Sequence, residues 1–290
     1  MQRLPPTFVQ WALSKISSNM KSPTNTLRGQ LAMYIMKTFN PPSIHAAVKR
    51  LELKSTDTFL EIGAGHGESL KALVEIYHEQ QTQQQNLADM SNNAKKASSP
   101  SRSLDDASSN MARSTTASIE ANNSDAHGNN IPQKVILVEI SSEFQRTLHH
   151  LIQNEIPKNM FPTPIEVHDT DCKSMTFLED NSVDTIFGFN LVYFLHPLEE
   201  YISEIKRVLK PGGKLVFGCK FGSLPKKGAC EVFVNVDRRE ICMAMEKAGF
   251  VDVVSEKVMV GDDNPMMNYV EIRGYKEEED GLDLQLKSRI

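Results

Sequence analysis

The sequence predicts a doubly wound α/β fold built on a mostly parallel, seven-stranded sheet. Three observations lead there. Short apolar runs alternate with stretches of helical period, as strands joined by crossover helices do. The first strand runs straight into a glycine cluster that opens a helix. The last two strands have no helix between them, so they should pair as a hairpin and set one antiparallel strand in the sheet.

The elements follow in order. Thr58-Phe59-Leu60-Glu61-Ile62 is a short apolar strand, and beyond the glycines Leu70, Leu73, Val74 and Tyr77 recur at helical spacing. Val135-Ile136-Leu137-Val138 is a buried-type strand ending at Glu139. Ile165-Glu166-Val167-His168 and the run from Val183 to Phe189 are the third and fourth. A helix from Leu198 to Leu209 carries Tyr201, Ile205, Val208 and Leu209 on one face. It should stop at Lys210-Pro211-Gly212-Gly213, ahead of a fifth strand over 214–219. Asp237 can cap a helix that runs to Ala248 and ends at Gly249, and strands near 251–258 and 269–275 finish the sheet.

Composition changes abruptly near Glu79. Residues 79–132 are rich in Gln, Asn, Ser and Ala and contain no Phe, Trp, Tyr or Val. Such a stretch buries too little apolar surface to offset its ordering entropy, so it is expected to be a disordered insertion inside one domain spanning 43–276. Residues 277–290 form a polar tail. Residues 1–42 are expected to be either a helical cap over the site or a targeting segment. No acidic residue precedes Glu52, while Arg3, Lys15, Lys21, Arg28, Lys37, Lys49 and Arg50 do. With an amphipathic helix over 8–16, that character matches a mitochondrial import signal, which makes the matrix the alternative to a cytoplasmic location.

Bulk properties exclude several classes. The net charge of −5 gives no chain-wide signal for nucleic acid. No apolar run approaches the roughly 20 residues that a membrane helix needs. Cys172, Cys219, Cys230 and Cys242 lack C-x-x-C spacing, which argues against a metal site or a disulfide framework.

The chemistry concentrates at the ends of the strands, where ligands bind in open α/β sheets. The first loop reads Glu61-Ile62-Gly63-Ala64-Gly65-His66-Gly67. A dinucleotide fold would carry G-x-G-x-x-G, but Glu68 stands where its third glycine belongs. A carboxylate there would repel a pyrophosphate at the helix amino terminus. No Gly-Lys-Ser or Gly-Lys-Thr follows, so a phosphate loop is excluded too. Acidic residues at this place suit a ligand that carries positive charge and no phosphate.

Strand, Glu61 and G-x-G-x-G together resemble the first motif of the class I S-adenosylmethionine-dependent methyltransferases, a Rossmann-like superfamily. The resemblance runs from about Ser43 to Lys276 outside the insertion. It implies S-adenosylmethionine as cofactor, seated on Glu61, Gly63, Ala64, Gly65 and Gly67, with Glu61 orienting the ammonium side. Glu139, with Ile140 beside it, is positioned to accept the ribose hydroxyls. Deleting residues 79–132 brings Glu139 to about the 20-residue spacing from the glycines that such folds keep. The resemblance further implies that Asp171 and Cys172, rather than Asp169, meet the adenine. Asn190, beyond the fourth strand, would lie near the cofactor, and Tyr193 or His196 near the methyl acceptor with a proton-transfer role. The expected acceptor is a small molecule. The Asn/Asp-Pro-Pro-Tyr motif with which amino-methylating enzymes grip a flipped base is missing. The competing readings are a protein or RNA methyltransferase, and a non-catalytic member of the fold that binds a partner.

Overall fold

A computed structural model describes residues 19–21, 23–24, 26–97, 131–224, 231–261 and 265–278. The helix expected over 8–16, the centre of the expected insertion (98–130) and the tail from 279 onward lie outside the described residues.

Seven strands form one sheet. They are β1 (Thr58–Ile62), β2 (Lys134–Val138), β3 (Glu166–His168), β4 (Val183–Phe189), β5 (Leu209–Cys219), β6 (Phe250–Val258) and β7 (Tyr269–Lys276). Their order is β3-β2-β1-β4-β5-β7-β6. The first five run parallel, and β7 inserts between β5 and β6, antiparallel to both. The chain therefore winds outward from β1 through β2 to β3, then returns to the other side of β1 with β4. Strand order reverses between β1 and β4, and the carboxyl ends of those two strands frame the crevice.

The helices are α1 (Leu27–Phe39), α2 (Pro41–Arg50), α3 (Glu68–Ala97), α4 (Ser142–Asn154), α5 (Leu198–Val208) and α6 (Arg238–Lys247). Local chemistry starts and stops several of them. The side chain of Thr26 accepts the Gly29 N–H at the head of α1, and Pro41 begins α2, where a missing N–H costs nothing. Asp237 caps α6 by accepting the Arg239 N–H at 2.9 Å, and Gly249 leaves that helix at φ 85°.

The sheet separates two apolar layers. On one face Leu60, Ile62 and Val138 pack with Ile202, Ile205 and Val208 of α5 and Ile241 and Met245 of α6. On the other, Phe59, Leu137 and Phe187 pack with Ala47 and Val48 of α2, Leu70 and Leu73 of α3, and Leu148 and Leu151 of α4. Strand periodicity then fixes where Glu61 points. It shares the face of Phe59, two residues earlier, so its carboxyl enters the α3 layer.

Two boundaries differ from the sequence expectation. Helix α3 continues through residues 79–97, which were expected to belong to the structureless insertion. The stretch contains neither Pro nor Gly and is rich in Gln, Ala and Lys, so a helix already nucleated by its packed first turns propagates through it. At the insertion's far end Ile131 is buried in the α3 layer, so the core resumes two residues early. Strand β5 already begins at Leu209, which pairs with Val183, and the register then jumps to Lys214 opposite Thr185. Lys210-Pro211-Gly212-Gly213 is thus an irregularity within the strand rather than a separate turn. Among the described residues no helix is long and apolar enough to cross a membrane.

One arginine clamps the segment that follows β3. Arg207 donates to the carbonyls of Met175 and Leu178 and pairs with Asp180 and Glu204. Its planar fork makes this combination available to arginine and not to lysine. Arg207→Ala is expected to cost about 1–2 kcal/mol in urea unfolding, a value discounted for the side chain's partial exposure, and Arg207→Lys should restore little of it.

Candidate functional site

A cleft enclosing about 970 Å³, part of it open to solvent, lies over the carboxyl ends of β1, β2 and β4. Its floor begins with the glycine loop. Gly63 and Ala64 both donate to the carbonyl of Val138, at 2.8 and 3.3 Å, which ties the loop to the end of β2. Gly63, Gly65 and Gly67 have φ of 69°, 56° and 81°, a region where glycine alone is unstrained. Each answers a different spatial demand. A Cβ on Gly63 would meet Leu191 at 2.8 Å, and one on Gly67 would meet Leu151 at 2.4 Å. A Cβ on Gly65 would meet nothing within 4 Å, because that position faces the open cleft.

Two buried carboxyls stand beside the loop. Glu61 accepts a short hydrogen bond from the Ser69 hydroxyl at the head of α3. Burial pushes its pKa up to about 8 against that hydrogen bond, with Glu139 and Glu68 adding repulsion. Glu139 accepts the N–H groups of Gly65 and Ser141, each at 2.8 Å. Burial also raises its pKa, opposed by these backbone donors.

The cleft's third side comes from the loop after β3. Asp171 accepts the Tyr201 hydroxyl at 3.0 Å and the Lys173 N–H at 3.0 Å. Cys172 is buried and its thiol pKa is pushed up to about 12, so it serves as a neutral wall and not as a thiolate. Asn190, at φ 54°, follows β4 and accepts from the Tyr193 hydroxyl at 3.0 Å and the Lys220 N–H at 3.1 Å. Its amide donates to Asn40, at the α1–α2 junction, at 3.3 Å. Met20, Met36, Asn40 and Ile44 close the cleft from the amino-terminal side.

Nine of the twelve residues expected at the site therefore share one cavity. Glu61, Gly63, Ala64, Gly65 and Glu139 line it, as do Ile140, Asp171, Cys172 and Asn190. Three stand apart. Gly67 lies behind the loop, where it permits close packing of α3 on α4. Tyr193 is 1% exposed, outside the cleft wall, with its hydroxyl used to hold Asn190 and the Lys220 N–H. His196 is exposed and is not part of the cleft wall. An aromatic side chain in an apolar run is drawn into the core unless its neighbours prevent it, and Phe194, Phe221 and Phe233 pack edge-on around Tyr193. Neither Tyr193 nor His196 lines the cleft.

Sequence reasoning passed over other residues of the wall. His66 lines the cleft from within the glycine loop. Tyr201 was assigned only to the packing face of α5, yet its hydroxyl reaches Asp171. Lys220, which does not line the cleft, is 9% exposed just after β5, and its ammonium donates to the carbonyls of Phe39 and Met266 at 2.5 and 3.0 Å, anchoring α1. Burial lowers its pKa to about 8. A lone lysine directly after an apolar strand was the available signal.

The arrangement fits a ligand with cationic groups and no phosphate. Acidic side chains crowd the loop, Gly65 leaves a cradle that a side chain would fill, and buried polar atoms of His66 have no partner within the protein. Comparisons with known proteins bear on the domain and the fold. Residues 116–217 match the family described as a methyltransferase domain. No curated protein matches the chain by sequence. A chain from the Haloferax volcanii complex between the Trm112 methyltransferase activator and a methyltransferase is similar in fold, with a TM-score of 0.52 at 12% identity, covering 95% of this chain and 100% of that one. A Haemonchus contortus phosphoethanolamine N-methyltransferase gives 0.50 at 14% identity over 95% of this chain and 59% of that one. The Burkholderia thailandensis 1,6-didemethyltoxoflavin-N1-methyltransferase gives 0.50 at 11% identity over 96% and 93%. These likenesses establish the fold.

Proposed function

We propose that this chain is a class I, S-adenosylmethionine-dependent methyltransferase that transfers a methyl group to a small-molecule acceptor held between the glycine loop and α1. One observation carries the reading. Residues from the ends of β1, β2 and β4 and from the loop after β3 wall a single cleft, and Met20, Met36, Asn40 and Ile44 of the amino-terminal segment narrow it from one side. A cleft narrowed in this way suits a compact acceptor better than a polymer strand.

When bound, S-adenosylmethionine supplies an activated methyl group on a sulfonium. The protein's task is alignment and exclusion of water. Glu61 and the loop backbone hold one end of the cofactor, Glu139 the ribose, and Asp171 with the Cys172 backbone the adenine. Asn190, fixed by three hydrogen bonds, orients the region where the acceptor approaches. Tyr193 works through Asn190, as a positioning residue.

Two measurements test this. Labelled methyl groups offered to a metabolite extract and to protein and RNA fractions should appear in the metabolite fraction; label in protein or RNA would overturn the acceptor class. In equilibrium binding, wild type should bind S-adenosylhomocysteine, and Glu139→Ala should weaken it by about 30-fold, the loss of two hydrogen bonds to a charged group. Absence of binding by the wild type would overturn the cofactor reading.

A further inference from the structure

Lys220 is a buried ammonium without a counter-ion. It is 9% exposed, no carboxylate among the described residues pairs with it, and burial alone depresses its pKa. A buried charge left unanswered is costly, so another group must meet it. The ammonium donates to the carbonyls of Phe39 at 2.5 Å and Met266 at 3.0 Å. Phe39 is the last residue of α1, and its carbonyl is among those that a helix leaves without an internal partner. Those carbonyls carry the negative end of the helix dipole. Lys220 thus caps α1 from just beyond β5, and the helix end answers its charge.

Helix α1 has little else to hold it. Its only buried residues are Gly29 and Ala32, whereas Leu27, Leu31 and Tyr34 stand exposed. Helix α2 differs, because Ile44, Ala47 and Val48 pack into the α3 layer. Between the two, Pro41 and Pro42 bring no N–H, so helical hydrogen bonding is interrupted there. A lightly packed arm therefore joins a fixed helix at a weak junction. The arm narrows the cleft through Met36 and Asn40, and Asn40 accepts from the Asn190 amide at 3.3 Å. The main-chain N–H of Lys220 donates to the same Asn190 at 3.1 Å. One residue ties the end of β4 to the end of α1.

We infer that Lys220 is a positioning residue that latches α1 over the cleft and so sets how long the cofactor stays bound. The inference rests on the cofactor reading above and adds a control on release to it. The latch acts through Phe39, Asn40 and Met36 and touches no reacting atom. Release requires α1 to move aside, and the strength of the cap at Phe39 governs how often it does.

The test compares wild type with Lys220→Met at neutral pH. This variant keeps a long side chain and the backbone N–H to Asn190 but removes the ammonium. It should release S-adenosylhomocysteine about tenfold faster in stopped-flow displacement. In the ligand-free proteins, hydrogen exchange of the α1 amides should quicken by a similar factor, with β1, β4 and β5 unchanged. A merely structural role would instead speed exchange across the sheet. Ser43→Ala is the control: it removes a 2.6 Å bond from α2 to the Met267 carbonyl, on the same turn that Lys220 reaches. Because α2 is held by its apolar side chains, release from that variant should stay within about twofold of wild type. As a measurement independent of any variant's folding, S-adenosylhomocysteine should slow exchange of the wild-type α1 amides. Unchanged release or unchanged α1 exchange in Lys220→Met, equally faster exchange throughout, equally fast release from Ser43→Ala, or wild-type α1 amides indifferent to the ligand would overturn the inference. Each of these leaves the cofactor reading intact. Failure of the wild type to bind S-adenosylhomocysteine would overturn both.

Discussion

Gly65→Arg is expected to abolish cofactor binding, with affinity for S-adenosylhomocysteine falling by more than about 100-fold, while the protein remains folded. The residue sits at φ 56° with open space where a Cβ would go. The folded state therefore pays only for placing an L-residue in the left-handed region, about 1–2 kcal/mol. The Gly65 N–H still reaches Glu139, since the substitution leaves the backbone donor in place. What changes is the cleft, which a long cationic side chain fills at the place meant for a cationic ligand. Gly67→Ala makes the contrasting control. Its Cβ would press on Leu151 at 2.4 Å and Leu148 at 3.0 Å, so it should cost stability by overpacking and affect binding only through the fold. Calorimetric binding paired with urea unfolding separates the two. Undiminished binding by Gly65→Arg would remove the loop from the site.

The contrast among these glycines marks how far the sequence could be followed. Spacing and strand context located the loop, and the absence of a dinucleotide glycine at Glu68 narrowed its ligand. Nothing in the spacing could assign Gly65 to the cleft and Gly67 to the helix interface, because both have positive φ and only the packing of Leu148 and Leu151 distinguishes them. Glu139 was legible for a different reason. Removing residues 79–132 restored its spacing, even though the helix in fact continues to Ala97, because spacing depends on where β2 resumes and not on what the intervening chain does. The family match begins at residue 116, within that insertion and beyond the glycine loop. Tyr193 and His66 were hidden for opposite reasons. An aromatic run does not say which ring is buried, and a single histidine between two glycines carries no periodicity at all.

The ionisation of Glu61 should link stability to function. Its pKa rises from 4.5 in the unfolded chain to about 8 in the buried site, so the folded state holds a proton that the unfolded state releases. Stability from this group is fully present below pH 4.5 and is lost as pH rises through about 8. Glu61→Gln, which mimics the protonated carboxyl and can still accept from Ser69, removes that dependence. The variant should match wild type near pH 4.5 and exceed it by on the order of 4 kcal/mol at pH 8, read as the difference between their urea-unfolding free energies across that range. Titrating groups that do not interact with Glu61 act in both proteins and cancel in the difference, whereas Glu139 and Glu68, which repel it, contribute through that coupling. An ammonium against the carboxyl favours its charged form, so S-adenosylhomocysteine, through its α-ammonium, should flatten the wild-type pH slope and leave that of Glu61→Gln unchanged. An exposed Glu61, or one paired with a cation in the free protein, would give no such difference. A carboxyl that costs stability when empty and is relieved by a cation is spending folding energy on recognition, as binding sites commonly do.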